Sequence, residues 1–266
     1  MPDVVLTPAL YLAIGAAAGV MAGMLGVGGG VVIVPALAWA LLAQGVTPAL
    51  VMHVAIGTSL ATIVVTSLSS IRAHQRRGAI LWPVVRRLAP GIVVGTWIGA
   101  KIVDLLPAAT LRLIFGVFLL SVAAQMVFAG QPAAHRGLPG RPALLGVGAL
   151  IGAVSGVVGI GGGSLTVPFL GWCNVGIRNA VATSAACGFP IALAGTLGFV
   201  VTGLDAAGLP PWSLGYINGP AWLGIGCASM LFAPLGARLA HTLPMPLLRR
   251  VFALFLGVVG VRMLWP

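Results

Sequence analysis

The sequence predicts an all-α polytopic membrane protein made of two homologous halves arranged as inverted repeats, on three observations. Hydrophobic residues make up 59% of the 266 and charged residues only 6%, with a mean hydropathy of +1.12. A soluble domain carries about 25% charged residues, so most of this surface must face lipid rather than water. Second, the apolar residues fall into long runs separated by short loops that hold most of the basic residues. Third, a glycine-rich phrase occurs twice. Gly26-Val27-Gly28-Gly29-Gly30 leads to Pro35, and Gly159-Ile160-Gly161-Gly162-Gly163 leads to Pro168. Gly19/Gly152, Gly23/Gly156, Leu37/Leu170 and Trp39/Trp172 repeat at the same offset.

In order along the chain, the first repeat covers 1–130. It opens with a broken helical hairpin over 6–42 and continues with helices at about 48–71, 80–102 and 111–128, each close to the ~20 residues that a span needs. A linker over 131–142 follows, assigned to the cytoplasm. The second repeat, 143–266, has a broken hairpin over 143–172 and helices at about 180–202, 211–235 and 247–265. The first and fifth apolar runs are too long for one helix, and each has the glycine phrase near its centre. Met1-Pro2-Asp3 offers no basic stretch before the first apolar run, so no cleaved leader is expected.

Orientation follows from the arginines. Arg72, Arg76, Arg77, Arg86 and Arg87 crowd one connection, Arg136 and Arg141 mark the central linker, and Arg238, Arg249 and Arg250 mark the last loop. The stretch 203–211 holds Asp205 and no basic residue. With the basic loops in the cytoplasm, each broken run must return to the side it entered from, and the N-terminus lies outside. Three spans then follow each hairpin, an odd number, so the halves are inverted. If each broken run crossed once instead, the repeats would be parallel. Lys101 and Arg112, on a loop assigned outside, count mildly against the inverted version.

The net charge of +11 is scattered among these loops and forms no stripe, so it is read as headgroup anchoring and topology signal, not nucleic-acid binding. Cys173, Cys187 and Cys227 lie in apolar stretches without metal spacing, and a disulfide framework is not expected. No cofactor, metal or catalytic constellation is expected either: there is no glutamate, and Asp3, Asp104 and Asp205 all fall at predicted loops or helix ends. An intramembrane carboxylate of the kind proton-coupled carriers use is therefore lacking, and an anion is a better cargo than a cation.

A triple glycine inside an apolar helix costs about 1 kcal/mol per residue relative to alanine, and non-helical backbone at membrane depth survives only against protein or a watery cavity. Paired helix breakers at matching positions point to the substrate site of a secondary carrier. Glycine permits φ > 0 and close backbone approach. The turns beginning at Val31 and Ser164 can then start new half-helices, with Pro35 and Pro168 tolerated in a first turn. Their exposed N–H groups, at the positive end of the helix dipole, make an anion site without any arginine. The bland reading is that the glycines only let helices pack closely. Hydroxyl pairs Thr58-Ser59 and Thr183-Ser184 recur near the start of the next helix in each half, where they bond an anion or cap backbone. His53 is the one titratable side chain expected inside the membrane. It is either a packing residue or a proton-linked switch near the site.

The doubled phrase, followed by Gly57-Thr58-Ser59-Leu60 in one half and Ala182-Thr183-Ser184 in the other, resembles the TauE/SafE family of sulfite exporters over essentially the whole chain. The resemblance implies a multi-pass carrier of the bacterial cytoplasmic membrane that exports sulfite, thiosulfate, sulfoacetate or a related organosulfonate. By position it assigns Gly28, Gly29, Gly30 and Pro35 to the first family phrase, and Gly161, Gly162, Gly163 and Pro168 to the second. The anion-binding set expected from these readings is completed by Val31, Thr58, Ser59, Ser164, Thr166, Thr183 and Ser184, with rocking of one half against the other as the transport motion. The expected partners are a small oxyanion and the lipid bilayer, with pairing into a homodimer left open. A carrier of small carboxylates and a non-transporting scaffold subunit are the alternatives.

Overall fold

A computed structural model describes residues 3–25, 29–128, 137–242 and 245–265. In the first half α1 (Asp3–Leu25) is followed by a short α2 (Gly30–Ala43) and by α3 (Pro48–Gln75), α4 (Trp82–Leu105) and α5 (Ala108–Phe128). The second half runs α6 (Arg141–Val158), a short α7 (Gly163–Trp172), α8 (Ile177–Gly203), α9 (Gly219–Thr242) and α10 (Met245–Leu264). Between α8 and α9 lies a small antiparallel hairpin, β1 (Ser213–Leu214) and β2 (Ile217–Asn218). Among the described residues seven helices, α1, α3, α4, α5, α6, α8 and α9, are long and apolar enough to cross a membrane. The protein is a multi-pass membrane protein.

α3 and α8 form the centre of the bundle and are its most thoroughly buried long helices. They run antiparallel. A Cβ at Gly57 would lie 3.2 Å from Phe199, whereas one at Gly195, four residues back along α8, would lie 2.6 Å from Leu60, three residues on along α3. The flanks are built across the halves. α4 packs along α6, and α1 along α9. Both contacts are glycine seams, in which small residues let backbones approach. Gly91, Gly95 and Gly99 of α4 meet Leu145, Ala149 and Ala153 of α6, while Gly148, Gly152 and Gly156 of α6 meet Leu88, Ile92 and Thr96 of α4. Residue numbers rise together along this contact, so α4 and α6 are parallel. In the same way Gly15 meets Ile225, Gly19 meets Ser229 and Gly236 meets Val20, making α1 and α9 parallel. The Ser229 hydroxyl closes that seam by donating to the Gly15 carbonyl at 3.0 Å.

These directions sort the charges. The C-terminal end of α3 and the N-termini of α4, α6, α8 and α10 share one end of the bundle and carry Arg72, Arg76, Arg77, Arg86, Arg87, Arg141, Arg178 and Arg250. The opposite end carries Asp104 and Asp205, together with Lys101, Arg112 and Arg262.

Candidate functional site

The chain breaks its helices where the phrases predict. α6 ends at Gly159, whose φ of 75° is left-handed and whose N–H bonds back to the Ser155 carbonyl, a common glycine stop. Three residues later Gly162, also at φ 75°, caps α7, its carbonyl accepting from the N–H groups of Leu165 at 3.1 Å and Thr166 at 2.7 Å. In the first copy Gly29 caps α2, and its carbonyl accepts from Val32 at 3.0 Å and Ile33 at 2.9 Å. In both half-helices the first-turn N–H groups (Gly30 and Val31, Gly163 and Ser164) precede the first intrahelical bond and stay outside the ladder. Gly28, with Gly26 and Val27, lies outside the described residues.

Two local expectations are corrected. Gly29 adopts ordinary right-handed backbone, φ −66°, so φ > 0 is used in the second phrase and not at this position of the first. Pro35 and Pro168 each fall at the sixth position of their helices, beyond the first turn. There they remove the donor that would reach the carbonyl four residues back, leaving those of Val31 and Ser164 without their usual partner.

The two phrases meet. A Cβ on Gly30 would collide with the Gly159 carbonyl and lie 3.0 Å from the Ile160 Cα, so only glycine lets the start of α2 reach the loop before α7. The Ser59 hydroxyl pins that contact from α3, donating to the Gly159 carbonyl at 2.8 Å. On the other side Gly188 of α8 abuts the Gly161 carbonyl, and Ile63 of α3 covers Gly161. The irregular backbone is thus enclosed by protein, as its depth requires.

The hydroxyls divide into two groups. Thr58 Oγ1 accepts the Asn218 N–H at 2.9 Å, and Thr183 Oγ1 accepts the Leu81 N–H at 3.0 Å. Each threonine thus holds the segment leading into the fourth helix of the opposite half. Ser164, Thr166 and Ser184, by contrast, are buried with no hydrogen-bond partner among the described residues. Thr96 and Ser155 join this unpartnered buried group. Sequence reasoning missed both, because a single Thr or Ser among glycines carries no pattern. A buried hydroxyl without a partner costs about 1–3 kcal/mol, so each of these hydroxyls is a donor left free to bond a guest.

His53 is buried and stacks against Tyr216 of the hairpin, ring centroids 5.2 Å apart. The Tyr216 hydroxyl donates to Asp104 Oδ1 at 3.0 Å. His53 therefore sits towards the Asp-bearing end of the bundle, linked through Tyr216 to a half-buried carboxylate. No local pattern announces this grouping, since its members come from α3, α4 and the hairpin.

Among curated proteins, a probable membrane transporter protein of Haemophilus influenzae is 39% identical over 256 residues, covering 96% of this chain and 97% of the relative. A probable membrane transporter protein of Xylella fastidiosa is 30% identical over 94% of this chain and 92% of its own length. Another, YunE of Bacillus subtilis, is 30% identical over 73% of this chain and 78% of the relative. No solved structure matches the chain. The family and these relatives are membrane transporters and not enzymes. The family described as sulfite exporter TauE/SafE matches residues 11–263, with both glycine phrases inside that span, and the chain belongs to it.

Proposed function

We propose that this transporter exports a small sulfur-containing oxyanion (sulfite, thiosulfate, sulfoacetate or a related organosulfonate) across the bacterial cytoplasmic membrane by alternating access. The observation that carries the reading is the meeting of the two glycine phrases: Gly30, at the start of α2, lies against Gly159 and Ile160 of the loop that leads into α7. Helix N-termini favour anions through free N–H groups and dipole. The unpartnered hydroxyls of Ser164, Thr166 and Ser184 supply further donors, while Thr58, Thr183 and Ser59 hold the frame that presents them.

The reading takes the halves as inverted repeats. The antiparallel run of the equivalent helices α3 and α8 supports this, because an axis in the membrane plane reverses a helix whereas an axis along the normal preserves its direction. The arginine-bearing end is taken as cytoplasmic, so an outbound anion enters where positive charge is concentrated and leaves beside Asp104 and Asp205. The choice of sulfur cargo rests on the family.

The test is uptake of labelled sulfite by the purified protein in liposomes, against thiosulfate, sulfoacetate, sulfate and acetate, with and without a pH gradient. Saturable flux of sulfur oxyanions supports the reading. Acetate flux alone would move the cargo to carboxylates, and silence for every anion would favour a scaffold.

A further inference from the structure

We propose that the arginine-lined cleft between the N-termini of α4 and α6 binds the phosphate of an anionic phospholipid. The cleft is a surface cavity of about 440 Å³ lined by Pro83, Arg86, Arg87, Arg141 and Leu145. Its place follows from the α4–α6 seam: the helices are parallel, so both positive dipole ends open at the same level. Both begin with a proline in the first turn, which fits a start whose N–H groups bond nothing within the helix.

Three exposed arginines line the cleft, and among the described residues no aspartate shares that end of the bundle. Asp104 is at the other end of α4, on the order of 27 Å away at ~1.5 Å per residue. Asp205 follows α8, also at that far end. A concave cluster of cations at two helix starts calls for a polyoxygen anion, which arginine recognises through its planar fork of donors.

The surroundings select a lipid over a free ion. Along α4 the face bearing Arg86 and Arg87 continues at helical spacing through Pro90 to exposed Val93, Val94 and Trp97. Along α6 the face of Arg141 continues to exposed Leu145, which itself lines the cleft. A phosphate in the cleft thus sits at the head of an apolar wall shaped for acyl chains, and basic pockets between membrane helices on the cytoplasmic side bind acidic headgroups. Since α4 belongs to the first half and α6 to the second, one lipid clips the two halves together.

The test is thermal unfolding of the delipidated full-length protein in detergent, with phosphatidylglycerol, phosphatidylcholine or inorganic phosphate added in excess. Phosphatidylglycerol is expected to raise the wild-type midpoint by about 3 °C or more over phosphatidylcholine, with no response to inorganic phosphate. The triple variant Arg86→Gln/Arg87→Gln/Arg141→Gln is expected to lose most of that gain, and Arg178→Gln to keep it. If the triple variant does not fold, Arg141→Gln and Arg87→Gln are read singly by retention of bound phosphatidylglycerol in native mass spectrometry, where each is expected to lose lipid. An undiminished lipid response in the arginine variants overturns the proposal. So does a response to inorganic phosphate equal to that to the lipid, which would make the cleft a soluble-anion site. Neither result bears on the cargo, which the flux assay reads separately.

Discussion

Gly29 and Gly162 hold the same position in the two copies of the phrase, but the backbone treats them differently. Gly29 caps α2 in right-handed geometry at φ −66°, and an added Cβ would meet mainly the flexible tip of Ile33 at 3.2 Å. Gly162 caps α7 at φ 75°, and an added Cβ would stand 2.5 Å from Ile191. The hydroxyls diverge in the same way. Ser59 spends its donor on the Gly159 carbonyl, whereas Ser184 in the matching pair is buried without a partner. Duplicated sequence supplies the same parts twice, and the fold bonds one copy's serine into the frame while leaving the other's without a partner among the described residues.

The sharpest way to break this comparison is Gly162→Val. Left-handed backbone costs a β-branched residue about 1–3 kcal/mol, and the overlap with Ile191 adds to that. Flux in liposomes should vanish; retained flux would remove Gly162 from the site. Gly30→Ala comes next, because its methyl would strike backbone of the opposite phrase. It should lower flux by about tenfold or more, the equivalent of ~1.4 kcal/mol, and lower the unfolding midpoint. Unchanged values for both would mean the two phrases do not need to touch.

The serine pair separates frame from guest. Ser59→Ala should lose about 1 kcal/mol of stability, a midpoint drop of about 2–4 °C, with the apparent KM for the carried anion unchanged. Ser184→Ala should leave the midpoint unchanged or raise it, while the KM rises several-fold. Interchanged results would reverse the two roles. Smallest of all is Gly29→Ala, expected to leave flux within about twofold of wild type, because right-handed caps accept alanine at a modest cost. A loss as deep as that of Gly162→Val would mean the halves are equivalent in use.

Much of the architecture was legible because its signals are periodic or repeated. Apolar runs of spanning length, the doubled phrase and the arginine-bearing loops each speak through many residues. The parts that were hidden depend on pairing between distant segments. Nothing local to Thr58 or Thr183 says that its hydroxyl is taken by Asn218 or Leu81 of the other half. Glycine accepts either sign of φ, so the sequence cannot separate Gly29 from Gly162. Asp104 reads as a helix-end charge until the hairpin delivers Tyr216 to it. Pro35 and Pro168 lie beyond the first turn, because a proline is also tolerated deeper in a helix when the carbonyl four residues back does without its usual partner.

The glycine seams also have a mechanical consequence. Since α1 is zipped to α9 and α4 to α6, the halves defined by the sequence cannot swing as two separate blocks without tearing contacts in which backbone lies against backbone. The packing instead makes two arms, each assembled from both halves, set around the α3–α8 core. Any motion that opens the centre first to one side and then to the other must tilt these composite arms against that core.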